Sequence, residues 1–403
     1  MRVLYIDVVC KKGSTGKIIY DLYTQSRADG HTAAICYGRG DKVEGEHIYK
    51  FGLDWETRLH ALLTRLTGWT GCFSFFSTRR LLKFIREFQP DVVHIHELHA
   101  YFVNLKPLLH YLAEQHIPVV QTLHCEFTYT GKCGYAYECD RWHGDCGHCP
   151  HLRDYPKTLW FDHTAAMLRK KKALFGALGQ LTVTAPSAWL ADRARESFLK
   201  DRKICVVHNG IDTENIFHPY DTTDLRTRHG LMGERVVLAV APDLLSQRKG
   251  GRWVLQLAER MPEVKFVLVG VTDTSGPFPP NVIALGPIYD QPLLARYYTM
   301  ADCFVICSEK ENFPTTCLEA FCCGTPVAGF AAGGTAETVP APYGSFVPYG
   351  ELDSLQAAVE RQLSAGFGRE VTADAARRLY SPQTMYRAYR TLYQELLEEK
   401  EEA

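Results

Sequence analysis

The chain has 403 residues, longer than one hydrophobic core usually grows, so two domains of roughly 150–210 residues are the starting expectation. Its 45 Lys and Arg face 46 Asp and Glu, a formal charge of −1, which excludes the cation surplus that recognition of a nucleic-acid backbone needs. No apolar run nears the roughly 18 residues of a membrane span, and the apolar part of the opening MRVLYIDVVCKKG is too short for a signal peptide, so a cytoplasmic protein is expected.

Short β-branched runs alternate with longer helical patterns, the order of a parallel sheet with helices on both faces. Strands are predicted at Val3 to Val9, Thr32 to Cys36, Val92 to His96, Val119 to His124, Leu181 to Pro186 and Ile204 to His208. After a turn-rich, charged stretch that reads as a linker with a stop near Pro219, they resume at Val236 to Val240, Lys265 to Gly270, Val282 to Leu285, Cys303 to Ser308, Thr325 to Phe330 and Ser345 to Val347. The expected division is 1–212, carrying a Cys-rich insertion at 125–150, then 213–381, then 382–403. In the last stretch Tyr386, Tyr389, Tyr393 and Leu396 share a helix face that packs back on the first half. Two doubly wound halves facing one another place ligands beyond the carboxyl ends of their strands.

The first strand leads into GSTGK, with Gly13 and Gly16 suited to a tight strand-to-helix turn. It lacks the spacing of an NTPase phosphate loop, and Ile18 follows the Lys. The strand Val92 to His96 runs into HIHELH, with His94, His96, Glu97 and His99 at and just past its end. The alternation of faces and the absence of tetrahedral ligand spacing speak against a catalytic metal and for His96 and His99 as acceptor-hydroxyl contacts. Next come His124 and then Cys125, Cys133, Cys139, Cys146 and Cys149 in a Gly-rich loop. Cys133, Cys139, Cys146 and Cys149 are a candidate structural zinc set, with His143 or His148 as alternates and free thiols as the competing reading. Cys36, Cys205, Cys303, Cys307, Cys322 and Cys323 sit in apolar runs and read as buried thiols.

CSEKENFPTTCLEAFCCGTPVAG is the most informative stretch. A buried strand, a loop with Glu311 after Arg248 and Lys249 upstream, and a helix starting near Pro314 follow in order. The free N–H groups near Thr315 and Thr316 suit a diphosphate. Glu319, one turn further in, can accept both hydroxyls of a ribose, and Glu311 those of a transferred sugar.

With GSTG, TLH at 122–124, APSAWL, VHNGID, RKG at 248–250, ENFPTTCLEAFCCGTPV and AGGTAE together, the chain resembles retaining glycosyltransferases of family four, which have the GT-B fold. The resemblance implies an α/β protein of two facing Rossmann-like domains, the first for the acceptor and the second for a nucleotide-sugar donor, with UDP expected ahead of GDP. It implies donor contacts from Gly16, Arg248, Lys249, Glu311, Phe313, Pro314, Thr315, Thr316 and Glu319. His124, Glu311 and Lys249 would be the catalytic group, with no metal cofactor required. Asp243 stands where the family usually carries a second phosphate-binding Arg, and Arg248 is a candidate substitute. The implied reaction moves a hexose-type sugar to a saccharide or lipid-linked saccharide hydroxyl with retention. The alternatives are an epimerase or hydrolase on the same fold, or a non-catalytic nucleotide-sugar-binding protein.

Finally, Arg58 to Arg86 carries Arg58, Arg65, Arg79, Arg80, Lys83 and Arg86 with Trp69, Phe73, Phe75, Phe76 and Phe84, and no acidic residue. It reads either as a docking surface for the anionic inner membrane face or as a helix with Leu81, Leu82 and Ile85 toward the core.

Overall fold

The computed structural model describes residues 1–401 of the chain, which divide into two compact units, 1–208 with 385–401, and 209–384. The first unit holds a seven-stranded sheet of β1 (Arg2–Asp7), β2 (Thr32–Tyr37), β3 (Ile48–Lys50), β4 (Val92–Ile95), β5 (Val119–Thr122), β6 (Leu181–Ala185) and β7 (Lys203–Val206). Their order is β3-β2-β1-β4-β5-β6-β7, all parallel. The second unit holds β8 (Val236–Val240), β9 (Lys265–Val269), β10 (Val282–Leu285), β11 (Cys303–Ile306), β12 (Val327–Phe330) and β13 (Gly344–Val347), parallel in the order β10-β9-β8-β11-β12-β13. This is the α/β architecture expected from the alternating runs.

Both sheets are covered on both faces, as all-parallel sheets are. Within β1, Leu4 and Ile6 face a core containing Leu81, Ile85 and Leu108, while Val3 and Tyr5 face Ile18, Tyr389 and Tyr393. The helix Pro382–Glu401 thus supplies part of the first unit's second core layer. In the second unit Val236 and Leu238 face Tyr298 and Phe321, and Val237 and Ala239 face Val254 and Leu257.

Several expectations need correction. The stretch read as a linker is folded into the second unit: Ile211, Phe217 and Leu225 are buried in its core, and the Ile211 N–H donates to the Tyr380 carbonyl at 2.9 Å. β1, β4, β5, β6, β7, β9 and β11 stop one or two residues short of the predicted ends, because ladder pairing stops there and the chain turns. The Val8 carbonyl, for example, accepts from Gly38 and Arg39 N–H in place of a strand partner. β3 was not predicted; its three residues are half-buried at a sheet edge and too short to show a period. Cys36, Cys303, Cys307, Cys322 and Cys323 are buried as expected, whereas Cys205 is half-buried. Among the described residues no helix is long and apolar enough to cross a membrane.

The basic aromatic stretch forms two helices, Asp54–Thr67 and Phe75–Phe88, separated at Gly68 and Ser74, both in the left-handed region (φ 78° and 64°). Buried Glu56 accepts the Phe76 and Ser77 N–H groups at 2.8 and 2.7 Å, a carboxylate cap on the second helix. That helix buries Leu81 and Ile85, the core-face reading, yet leaves Phe75 and Phe76 each 61 % exposed beside Trp55. Leu53, Trp55, Phe76, Arg79, Arg80, Lys83 and Arg86 line one surface groove.

Candidate functional site

In the second unit the strand order reverses between β8 and β11, the position at which open parallel sheets bind ligands. The segments leaving these two strands meet there. Lys249 follows β8 and Glu311 follows β11, and Lys249 Nζ donates to Glu311 Oε1 at 2.5 Å. Arg248 Nη1 lies 3.9 Å from the same oxygen; its side chain is 40 % exposed against 14 % for Lys249, so Lys249 is the inner cation and Arg248 the outer one.

The backbone holds this contact closed. The Glu309 N–H donates to the Arg248 carbonyl at 2.9 Å. A Cβ on Gly250 (φ 72°) would stand 1.9 Å from the Cys307 carbonyl oxygen, so only glycine permits the approach. Glu311 is pinned from the other side: its carbonyl accepts the Gly334 N–H at 2.9 Å, and Gly333 (φ 65°) comes so near that a Cβ would lie 2.2 Å from that oxygen.

Beyond Glu311 the helix Thr315–Cys322 begins, with Pro314 as the residue before its first turn and Thr315 and Thr316 half-buried at its N-terminus. Phe313 is buried 6.0 Å from Tyr380, ring to ring, and so anchors the turn. Glu319, half-buried one turn in, accepts the Tyr298 hydroxyl at 2.8 Å through Oε2. Asp243 has φ 52° in the turn after β8, and the second cation near Glu311 is Arg248.

In the first unit the order reverses between β1 and β4. Gly16 lies on the helix Gly13–Ala28 against the segment after β1, where a Cβ would meet Val9 Cγ2 at 2.9 Å. His94 and His96 share a face of β4 with ring centroids 4.1 Å apart. His94 is held by Tyr393 and Thr122 hydroxyls, each at 2.7 Å. His96, only 2 % exposed, has Nδ1 2.9 Å from Nε2 of half-buried His124. Burial holds the His94, His96 and His124 imidazoles below the usual histidine range, for His124 against the pull of the Glu97 carboxylate.

His99 behaves oppositely. Burial opposes its charge, but Glu97 Oε2, 2.5 Å from Nε2, holds the imidazolium well above the usual range. Cys125 Sγ donates to the same carboxylate oxygen at 3.4 Å. Among the described residues Glu97, His99 and Cys125 are the group of three ligand atoms lying within 4.8 Å of one another. Cys133, Cys139, Cys146 and Cys149 line one small cavity. His143 is exposed and paired with Glu196 at 3.0 Å, and His148 is exposed.

Residues 15–215 match Glycosyltransferase Family 4, and residues 234–365 match Glycosyl transferases group 1. The chain belongs to glycosyltransferase family 4. Over 98 % of its length it is 28 % identical to the whole of WcaC of Escherichia coli K12, a protein named for glycosyl transfer in colanic acid biosynthesis. Over 43 % of each chain it is 31 % identical to the D-inositol 3-phosphate glycosyltransferase of Mycobacteroides abscessus. The family 4 chain also superposes on sucrose-phosphate synthase of Thermosynechococcus elongatus, with a TM-score of 0.71, 18 % identity and 98 % of both chains covered. Anabaena HepE, solved with UDP-glucose, is similar at a TM-score of 0.62 and 17 % identity, with both chains fully covered. These likenesses, with the two parallel sheets, establish the GT-B fold.

Two features of this glycosyltransferase were not read from its sequence. Tyr298 orients Glu319 from a helix 21 positions upstream, a distance no local motif spans. Asp7, wholly buried at the end of β1, is pushed up to about 7 by burial and by the neighbouring Glu97 charge. A carboxyl whose folded pKa is raised binds more protons folded than unfolded, so it costs stability increasingly from about pH 4 until pH passes the folded value. Asp7→Asn is therefore expected to raise the urea midpoint relative to the wild type by an amount that grows from pH 4 to pH 7 and then levels. A pH-independent difference would show that Asp7 ionises in the fold as freely as in the unfolded chain.

Proposed function

We propose that the chain transfers a hexose-type unit from a nucleoside diphosphate sugar, UDP ahead of GDP, to a hydroxyl of a saccharide or lipid-linked saccharide. The reaction retains anomeric configuration, needs no catalytic metal and serves polysaccharide or glycoconjugate assembly. The observation that carries this reading is the Lys249–Glu311 pair, set where the second sheet's order reverses and beside the N-terminus of Thr315–Cys322. The helix N–H groups and the Lys249 ammonium take the diphosphate, with Arg248 as the outer cation in place of the Arg missing at Asp243. These fixed charges neutralise the departing nucleoside diphosphate, the work a divalent ion does elsewhere. When the donor enters, Glu311 exchanges the ammonium for sugar hydroxyls, while Glu319, oriented by Tyr298, accepts the ribose. The names of WcaC and of the UDP-glucose complex of HepE support a polysaccharide product and a UDP donor. The transferases and synthases among the relatives favour transfer over epimerisation or hydrolysis.

In the first domain the family likeness assigns neutral His124, hydrogen-bonded to His96, a role in the chemistry and His99 a role toward the acceptor. His124→Ala is expected to leave donor affinity within a few fold and to lower kcat by about 10²-fold or more, as for a group that acts mainly in the transition state. Wild-type turnover in this variant would remove His124 from the chemistry.

Exposed Phe75, Phe76 and Trp55 beside Arg79 and Lys83 support docking of this cytoplasmic protein on the anionic inner membrane face. Arg80 is committed elsewhere, to the Tyr49 hydroxyl and the Lys50 carbonyl. Sedimentation with anionic vesicles is expected to fall as salt rises and to fall again in Arg79→Glu/Lys83→Glu and in Phe75→Ser/Phe76→Ser. Equal sedimentation of all variants, or none at low salt, would leave a soluble acceptor.

A further inference from the structure

Between β5 and the helix Thr164–Gly176 the chain runs through a long stretch whose regular structure is the single turn Arg141–His143. Connections of this length inside a compact unit are uncommon without something to hold them. Here the ends are tied by backbone contacts that fix each of four cysteines. The Thr130 hydroxyl donates to the Cys133 carbonyl at 2.9 Å, and the Cys139 N–H to Ala136 at 2.9 Å. The Cys146 N–H donates to the Arg141 carbonyl at 3.0 Å, and the Cys149 N–H to Asp162 Oδ2 at 2.7 Å. All four cysteines border a cavity of about 10 Å³, room for one water-sized particle.

A second observation is independent of the thiols. Lys132 and Lys171 are 2 % and 0 % exposed, and their amino groups are met by backbone carbonyls, Leu152, Asp154 and Pro156 for Lys132 and Phe127 and Thr130 for Lys171, with Lys171 Nζ also 3.5 Å from the centre of the Phe127 ring. Asp154 and Asp162 act on Lys132 at longer range, but among the described residues no carboxylate contacts either ammonium. Burial disfavours an ammonium at both positions, and negative charge standing close by offsets that cost. Lys132 lines the same cavity as the four cysteines, and Lys171 donates to the carbonyl of Thr130, which lines it too.

We infer that Cys133, Cys139, Cys146 and Cys149 bind one structural zinc ion that closes this loop, with Lys132 and Lys171 balancing its charge. Four thiolates around a divalent ion carry two excess negative charges, and the two buried ammoniums cancel them. Among the described residues no three of these four sulfurs lie within 4.8 Å of one another, so binding draws them together around the cavity and releases the thiol protons to solvent. The Glu97–His99–Cys125 group needs no such ion, since its carboxylate already has the His99 imidazolium as partner.

The test is elemental analysis of the full-length protein purified without metal-affinity resin, followed by cobalt substitution of the wild type. The expected result is about one zinc per chain, and in the cobalt form the intense sulfur-to-metal charge transfer and d–d bands of a tetrahedral four-thiolate site. Cys146→Ser and Cys149→Ser are expected to lose the zinc, while Cys205→Ser and Cys125→Ser retain it. Folded wild type without metal, whether all its thiols titrate or a Cys133–Cys149 disulfide is found, would overturn the inference. So would a cobalt spectrum with only one thiolate's intensity, or zinc lost in Cys125→Ser and kept in Cys146→Ser and Cys149→Ser.

Discussion

Glu311→Gln is expected to lower turnover by about 10²–10³-fold, the loss typical when one charge-stabilising contact is removed from a reacting centre, while leaving the affinity for the nucleoside diphosphate within a few fold. The amide still accepts the Lys249 ammonium in the shape of the native pair, so the donor pocket keeps its form. What disappears is the carboxylate proposed to take the sugar hydroxyls. The separation of kcat from nucleotide affinity is therefore the signature of a contact with the transferred sugar. Stopped assays over a donor concentration series, with calorimetric titration of the nucleoside diphosphate, read the two quantities independently. Unchanged turnover would remove Glu311 from the sugar site, and equal loss of both would make it a structural partner of Lys249.

Lys249→Ala is expected to lose both. Removing the inner cation leaves the diphosphate with only Arg248 and the helix N–H groups, and leaves buried Glu311 without its 2.5 Å partner. A charge-assisted contact of this kind is worth about 1.5–3 kcal/mol, or about 10–100-fold in nucleoside diphosphate affinity. Turnover falls further, because negative charge on the diphosphate is greatest as the leaving group departs. Lys249→Arg restores charge but not position, since Gly250 and the Cys307 carbonyl fix how closely a side chain from this turn approaches Glu311. Partial recovery of binding with little recovery of turnover is the expected pattern. Wild-type kinetics in Lys249→Ala would show that the diphosphate is bound elsewhere.

Much of the fold was legible because apolar strand runs such as Val236–Val240 and Lys265–Val269 are continuous and flanked by turn formers. β3 was not, since three half-buried edge residues carry no period. The break between the two basic helices was half visible: Gly68 announces a left-handed turn, but Ser74 adopts one for tertiary reasons, with its hydroxyl bonded to the Tyr101 carbonyl and His60. The linker reading failed because turn-rich residues around Pro219 masked three spaced apolar anchors, Ile211, Phe217 and Leu225. The Lys249–Glu311 contact depends on which strands are neighbours in the sheet. Strand order is invisible in a single sequence, and only the resemblance of RKG and ENFPTT to a known family connected the two segments. Buried Asp7 and the Glu97–His99 pair arise in the same way, from the tips of β1 and β4 lying side by side. Neither residue has a local signal that separates it from a solvated acid.

We propose that residues 209–384 carry a metal-independent nucleoside diphosphate site built on Lys249 and Glu319. Calorimetric titration of UDP into the wild type and into Glu319→Ala, each in excess EDTA, tests it most directly. One-to-one binding by the wild type is expected with chelator present, weakened about 10-fold or more in Glu319→Ala. Equal UDP affinity in the two proteins, or wild-type binding that appears only when a divalent cation is restored, would contradict it.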